Sequence, residues 1–109
     1  MSEYQKPTSK VEFDKNFKQK KPLMNSTEAF YESSRCLFCY DAPCIQACPT
    51  GIDIPLFIKQ INTKNTEGAA KTIFDSNWLG NACGVVCPTG VLCEGACVYN
   101  HQDVPPIQI

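Results

Sequence analysis

Apolar positions recur along this chain in short stretches at helical spacing, and no stretch alternates apolar with polar residues over the length of a strand. Residues 1 to about 22 are polar, with Val11, Phe13 and Phe17 as the only clustered apolar side chains. They read as a loosely ordered arm. The alternative is a short helix on which Phe13 and Phe17, four apart, anchor to a neighbouring surface. Asn25-Ser26-Thr27-Glu28 is a capping-box-like helix start, predicting a helix to about Arg35 whose inner face carries Ala29, Phe30 and Ser33 or Ser34. Pro43 suits the first position of a second helix bearing Cys44, Ile45 and Cys48 and ended by Pro49-Thr50-Gly51. Asp53 and Pro55 mark a third, running to about Lys64 with Leu56, Phe57, Ile58 and Ile61 apolar. Thr66 before Glu67 opens a fourth, in which Ala69, Ala70, Ile73 and Phe74 keep the period until Asn77. Trp78 is expected in the core, and strand only in the last residues if anywhere. The expectation is an all-α chain, with an arm over 1–24 and one domain over 25–109.

Composition narrows the function. The chain has 109 residues with ten basic and eleven acidic side chains, so nothing in its charge points to nucleic acid or an anionic membrane. It shows neither a membrane-spanning stretch nor a secretory leader, so the expectation is a cytoplasmic chain. A domain of this size buries only about two thirds of its unfolded surface, and eight cysteines between Cys36 and Cys97 suggest that something covalent supplements the core. Four disulfides suit a secreted miniprotein, not this context. Structural zinc takes paired C-x(2-4)-C knuckles. The spacing here is C36-x2-C39-x4-C44-x3-C48-P49, then C83-x3-C87-P88-x4-C93-x3-C97. Three close cysteines followed by a fourth in a Cys-Pro pair is the bacterial ferredoxin plan with its second gap widened by two residues.

A cubane cluster presents four irons at the corners of a tetrahedron, so a short loop covers three and a remote residue closes the fourth. Two such closures imply two adjacent clusters, with Cys48 and Cys97 as the crossing ligands. The repeat of Cys44-x3-Cys48-Pro-Thr-Gly51 as Cys83-x3-Cys87-Pro-Thr-Gly90 is consistent with a pseudo-twofold pair. Gly51, Gly84, Gly90 and Gly95 either let backbone amides approach the sulfurs, tuning the potential, or are ordinary turn and helix-end glycines. There is no G-x-G-x-x-G dinucleotide fingerprint. The lone His101 excludes most histidine-based triads and is expected at the surface. Asp41, Asp53 and Glu94 read as turn and capping residues.

Arg35-Cys-Leu-Phe-Cys-Tyr-Asp-Ala-Pro-Cys-Ile-Gln-Ala-Cys-Pro-Thr50, Gly68-Ala-Ala-Lys71, Leu79-Gly80, Cys83-Gly-Val-Val-Cys-Pro88 and Leu92-Cys-Glu-Gly-Ala-Cys97 together resemble the N-terminal iron–sulfur domain shared by dihydropyrimidine dehydrogenase, its NAD-dependent bacterial electron-input subunit and the glutamate synthase small subunit. The resemblance covers about residue 25 to the end and is closer to the pyrimidine branch in Asp-Ala-Pro-Cys and Gly-Ala-Ala-Lys. It implies an α-helical ferredoxin-like fold with two [4Fe-4S] clusters. One would be held by Cys36, Cys39, Cys44 and Cys97. The other would be held by Cys48, Cys87 and Cys93, with a glutamine or glutamate falling past Ile109. Gln102 and Gln108 do not sit at that place, and Cys83 is a bystander or a fallback fourth ligand.

The resemblance further implies a module that relays single electrons between flavins. Its partners would be an FAD- and NAD(P)H-binding domain or subunit and a catalytic flavin (FMN) subunit; the module alone is not catalytic. The rivals are a zinc-stabilised docking module and clusters of purely structural use. The apolar ending Val104-Pro-Pro-Ile-Gln-Ile109 is expected to be exposed, as in a fragment whose surface continues or is covered.

Overall fold

The computed structural model describes residues 6–18 and 22–109. Seven α-helices follow one another, and among the described residues there is no strand. Helix α1 (Lys10–Asn16) is capped by Ser9, whose hydroxyl accepts from the Glu12 amide at 3.2 Å. The polar N-terminal region therefore holds a helix. Phe13 and Phe17 stack on each other at 5.9 Å, but the helix buries no residue, so they do not bury it against a neighbouring surface among the described residues.

Helix α2 (Ser26–Arg35) begins where the capping pattern puts it: the Asn25 side chain accepts from the Glu28 amide at 2.8 Å, and Glu28 returns to the Asn25 side-chain amide, also at 2.8 Å. Helix α3 (Pro43–Ala47) has proline in its first turn. Helix α4 (Ile54–Asn62) is capped by Asp53, and α5 (Thr66–Ser76) by Asn65, one residue before the expected Thr66. Two further short helices, α6 (Gly80–Val86) and α7 (Cys93–Ala96), and single turns of tighter helix at Thr89–Val91 and Val98–Gln102 complete the chain. These later elements carry no apolar period of their own. No helix among the described residues is long and apolar enough to cross a membrane.

The core is small: Ile54, Phe57, Ile58, Ala69 and Ile107. Ile54, Phe57 and Ile58 stand at i, i+3 and i+4 and form the inward stripe of α4. Leu56 falls off that stripe and is 44% exposed. On α5 the same rule turns Ala69 and Ile73 inward and leaves Phe74 outside. Asn62 donates to Ser34 Oγ at 2.8 Å and to Ser33 Oγ at 3.3 Å, tying α4 to α2, and Thr72 donates to Gln60 Oε1 at 2.7 Å, tying α5 to α4.

Three expectations are corrected here. Trp78 is 87% exposed rather than in the core, because the α5–α6 turn carries it past the end of the buried stripe. Phe30 is likewise exposed, and the inner face of α2 is made by the small Ser33 and half-buried Ala29. The C-terminal segment is not a free apolar tail: Ile107 is 4% exposed and belongs to the core. Polar clasps hold that segment down. The Gln108 amide donates to Glu32 Oε1 at 2.9 Å, and the same carboxylate oxygen holds Arg35 at 2.7 Å. Arg35 also donates to the Pro105 carbonyl and lies over the Tyr99 ring, whose hydroxyl donates to the Arg35 carbonyl. Glu94, expected at a cap or turn, accepts from the Ile109 amide at 2.9 Å.

Candidate metal centre

None of the eight cysteines is in a disulfide, all are half-buried, and most stand where a helix starts or stops. Cys36 ends α2, Cys48 ends α3, Cys87 ends α6 and Cys97 ends α7, while Cys44 and Cys93 lie in the first turns of α3 and α7. The sequence explains two of these ends directly. A residue before proline is pushed out of the helical region, and Cys48 and Cys87, before Pro49 and Pro88, have ψ values of 121° and 134°. Each Cys-Pro pair therefore stops a helix on a thiol.

Cys36, Cys39, Cys44 and Cys97 line one narrow cavity, roofed by Ile54, Ile58, Tyr99, Ile107 and Ile109. Burial pushes the Cys44 thiol up to about 11, with the charges of Cys36 and Cys97 adding to it. Burial likewise pushes Cys36 up, opposed by the Phe38 amide and reinforced by Cys39 and Cys97. That amide donates to Cys36 Sγ at 3.4 Å. Phe38 reaches this place with φ at 51°, in the left-handed region that non-glycine residues seldom occupy, and Lys59 holds its ring from above, the ammonium 4.9 Å from the centroid.

The second set is arranged differently. Burial again raises Cys93, followed by the effects of Glu94 and Cys48. At Cys48 burial also acts upward, yet the Thr50 hydroxyl and the amides of Ile52, Thr50 and Gly51 outweigh it and bring the thiol below its ordinary value. Gly51 makes this possible: its φ of 64° closes the turn after α3, and its amide also donates to the Cys48 carbonyl at 3.0 Å. Gly95 serves a different end, since a Cβ there would lie 2.2 Å from the Gly90 carbonyl oxygen. Its bare backbone lets α7 press against the turn that follows Cys87.

These neighbours reveal a simple plan. Helices α3 and α7 pack together, and each carries two cysteines four residues apart, on one face. Cys44 at the start of α3 interacts with Cys97 at the end of α7, and Cys48 at the end of α3 with Cys93 at the start of α7. The two helices thus run antiparallel and offer a pair of thiols at each end. The antiparallel packing that sets Cys97 beside Cys44 and Cys93 beside Cys48 is a tertiary fact that spacing alone does not contain. Cys83 accepts instead from Asn77 Nδ2 at 3.0 Å. His101, Gln102 and Gln108 are exposed. Asp41 accepts from Gln46 at 3.4 Å in the turn before α3, and Asp53 caps α4.

Among the described residues no three Cys, His, Asp or Glu side chains converge on a single ion. The fit to a cluster rests on the donor set: soft thiolates, four around one cavity and others at the opposite end of the same helix pair, are the ligands that iron–sulfur clusters take.

Comparison with known proteins agrees. Residues 13–109 match the family described as dihydropyrimidine dehydrogenase domain II, 4Fe-4S cluster. The NAD-dependent dihydropyrimidine dehydrogenase subunit PreT of Escherichia coli K12 is 48% identical over 84 residues, covering 77% of this chain and 20% of that protein. The PreT homolog of Salmonella typhi and PreT of Salmonella typhimurium are each 49% identical over 77 residues, 71% of this chain and 19% of theirs. The chain thus spans about a fifth of the length of these curated relatives. It belongs to the dihydropyrimidine dehydrogenase domain II family and is a 4Fe-4S cluster-binding domain of the iron–sulfur electron-transfer class.

Proposed function

We infer that the chain holds two [4Fe-4S] clusters and relays single electrons between flavins of an NAD(P)H-dependent oxidoreductase of the dihydropyrimidine dehydrogenase type. Cys36, Cys39, Cys44 and Cys97 hold the first cluster. Cys48, Cys87 and Cys93 hold three corners of the second, whose fourth ligand comes from outside this set, with Cys83 as the fallback. The observation that carries this reading is the antiparallel α3–α7 pair, with one thiol of each helix at each end. Four residues of helix separate the two ends by about 6 Å, so clusters anchored there lie side by side.

The clusters supply one-electron chemistry when bound. The chain's own residues fix the thiolates and exclude water. Ile54, Ile58 and Ile107 close the first cavity, and the Phe38 amide and the 50–52 loop donate to the sulfurs. The partners in this reading are an FAD- and NAD(P)H-binding domain or subunit and a catalytic flavin subunit. The relatives, named as subunits of an NAD-dependent dihydropyrimidine dehydrogenase, favour the pyrimidine branch over glutamate synthase. Eight thiols without a disulfide suit a reducing, cytoplasmic setting.

The test is anaerobic purification with iron, sulfide and zinc analysis and an absorbance spectrum before and after dithionite. The expected result is about eight irons and eight sulfides per chain, with a brown, reducible absorbance. About four irons would overturn the two-cluster relay in this chain. Stoichiometric zinc in a colourless protein that takes up no iron on reconstitution would overturn electron transfer altogether.

A further inference from the structure

We propose that Thr50 is a positioning residue for the second cluster: its hydroxyl donates to the Cys48 sulfur and raises the potential of that cluster alone. The proposal rests on the two-cluster reading above. Thr50 Oγ1 lies 3.4 Å from Cys48 Sγ. Between a free thiol and a hydroxyl either atom can donate. A sulfur bound to iron has no proton, so in the loaded protein the hydroxyl must be the donor.

The hydroxyl sits on the tight turn that follows α3: the Gly51 amide donates to the Cys48 carbonyl at 3.0 Å, and the left-handed Gly51 lets the chain curl around the sulfur. Adding an electron to a cluster increases the negative charge on its sulfurs. Donors aimed at a sulfur therefore stabilise the reduced form more than the oxidised one and raise the potential. Cys48 has a hydroxyl within hydrogen-bond distance, whereas Cys36 in the first set accepts from a backbone amide, that of Phe38. Removing the hydroxyl should thus move one potential and leave the other in place.

Reduction by dithionite adds one electron to each cluster and breaks no bond, so the readout is a midpoint potential. The experiment is potentiometry on the anaerobically reconstituted full chain, followed by electron paramagnetic resonance, for the wild type, Thr50→Val and Thr50→Ser. In Thr50→Val one of the two midpoints should fall. The shift should correspond to a threefold to tenfold lower reduced-to-oxidised ratio at fixed potential, about 59 mV at the tenfold limit. The other midpoint should stay put, and Thr50→Ser should restore the wild-type pair.

Two unchanged midpoints in Thr50→Val, or two that move together, would overturn the proposal and leave the two-cluster reading intact. If Thr50→Val does not retain the second cluster, Thr50→Ala is the second hydroxyl-free variant. Loss of that cluster in both, with retention in Thr50→Ser, would assign the hydroxyl to holding the cluster and overturn its tuning role. A wild type with a single cluster overturns the two-cluster reading, and this proposal with it.

Discussion

At the first cysteine set the chain works by enclosure. Four thiols share a cavity under isoleucines and Tyr99, and burial raises Cys44 and Cys36. At the second set, four residues of helix away, Cys93 is raised by burial but Cys48 is lowered by the loop that follows it. Both sites draw on the same pair of short helices, so the difference comes from what surrounds the ends of that pair. Enclosure disfavours added charge and donors favour it. A domain too small for a large core can therefore surround two sets of identical thiols with unlike environments.

The sharpest way to break this comparison is to open the first cavity. Ile107 is part of both the core and that cavity's roof. Ile107→Ala is expected to cost about 2–5 kcal/mol of folding stability, measured by denaturant unfolding of the iron-loaded chain. It should also release iron from the first site faster than from the second, followed by absorbance and resonance signals under a chelator. Equal loss from both sites would show that the two regions rise and fall as one unit.

A smaller effect compares the regions without metal. In the reduced, iron-free chain Cys48 should alkylate well before Cys44. At pH 8 a thiol at about 11 is ionised to roughly one part in a thousand, and one below 9 to a tenth or more, so Cys48 should react roughly a hundredfold faster than Cys44. The gap closes as pH approaches 11. Peptide mapping after brief iodoacetamide treatment reads the order, and simultaneous labelling of both would contradict the assigned environments. The same shift affects stability. Because the folded state raises Cys44 above 9.0, its contribution is intact below pH 9 and is lost as pH climbs from 9 to about 11.

Much of this was legible in the sequence, for identifiable reasons. Helices α2 to α5 announce themselves through Asn25, Pro43, Asp53 and the apolar period, all of them local signals. The cysteine spacing pointed to an iron–sulfur domain, and the family match agrees. What failed depended on partners distant in the chain. Ile107 looked exposed because its partners lie some fifty residues earlier, in α4, and Trp78 and Phe30 looked buried because large apolar residues usually are. Helices α6 and α7 carry cysteines and glycines where a period would be, so local pattern was silent, and the Gly90–Gly95 contact that seats α7 has no counterpart in composition. The hydroxyl beside Cys48 belongs to the threonine of the repeated Cys-Pro-Thr-Gly, but the repeat itself does not show that it meets the sulfur.

The smallest expected effect mirrors the Thr50 test on the other centre. Lys59 sits 4.9 Å above the Phe38 ring, and Phe38 is held at φ 51° with its amide on Cys36. A cation on an aromatic face at a partly exposed place is worth about 0.5–1 kcal/mol. Lys59→Met keeps the aliphatic stem and removes the charge. It should lower the midpoint of the first cluster slightly, both by removing a nearby positive charge and by loosening the amide, and leave the second midpoint unchanged. Together with Thr50→Val this forms a double test, each substitution moving one potential only. If Lys59→Met shifted the second midpoint as well, the two environments would be electrostatically continuous. The contrast between enclosure at one end of the α3–α7 pair and donation at the other would then not be what separates the centres.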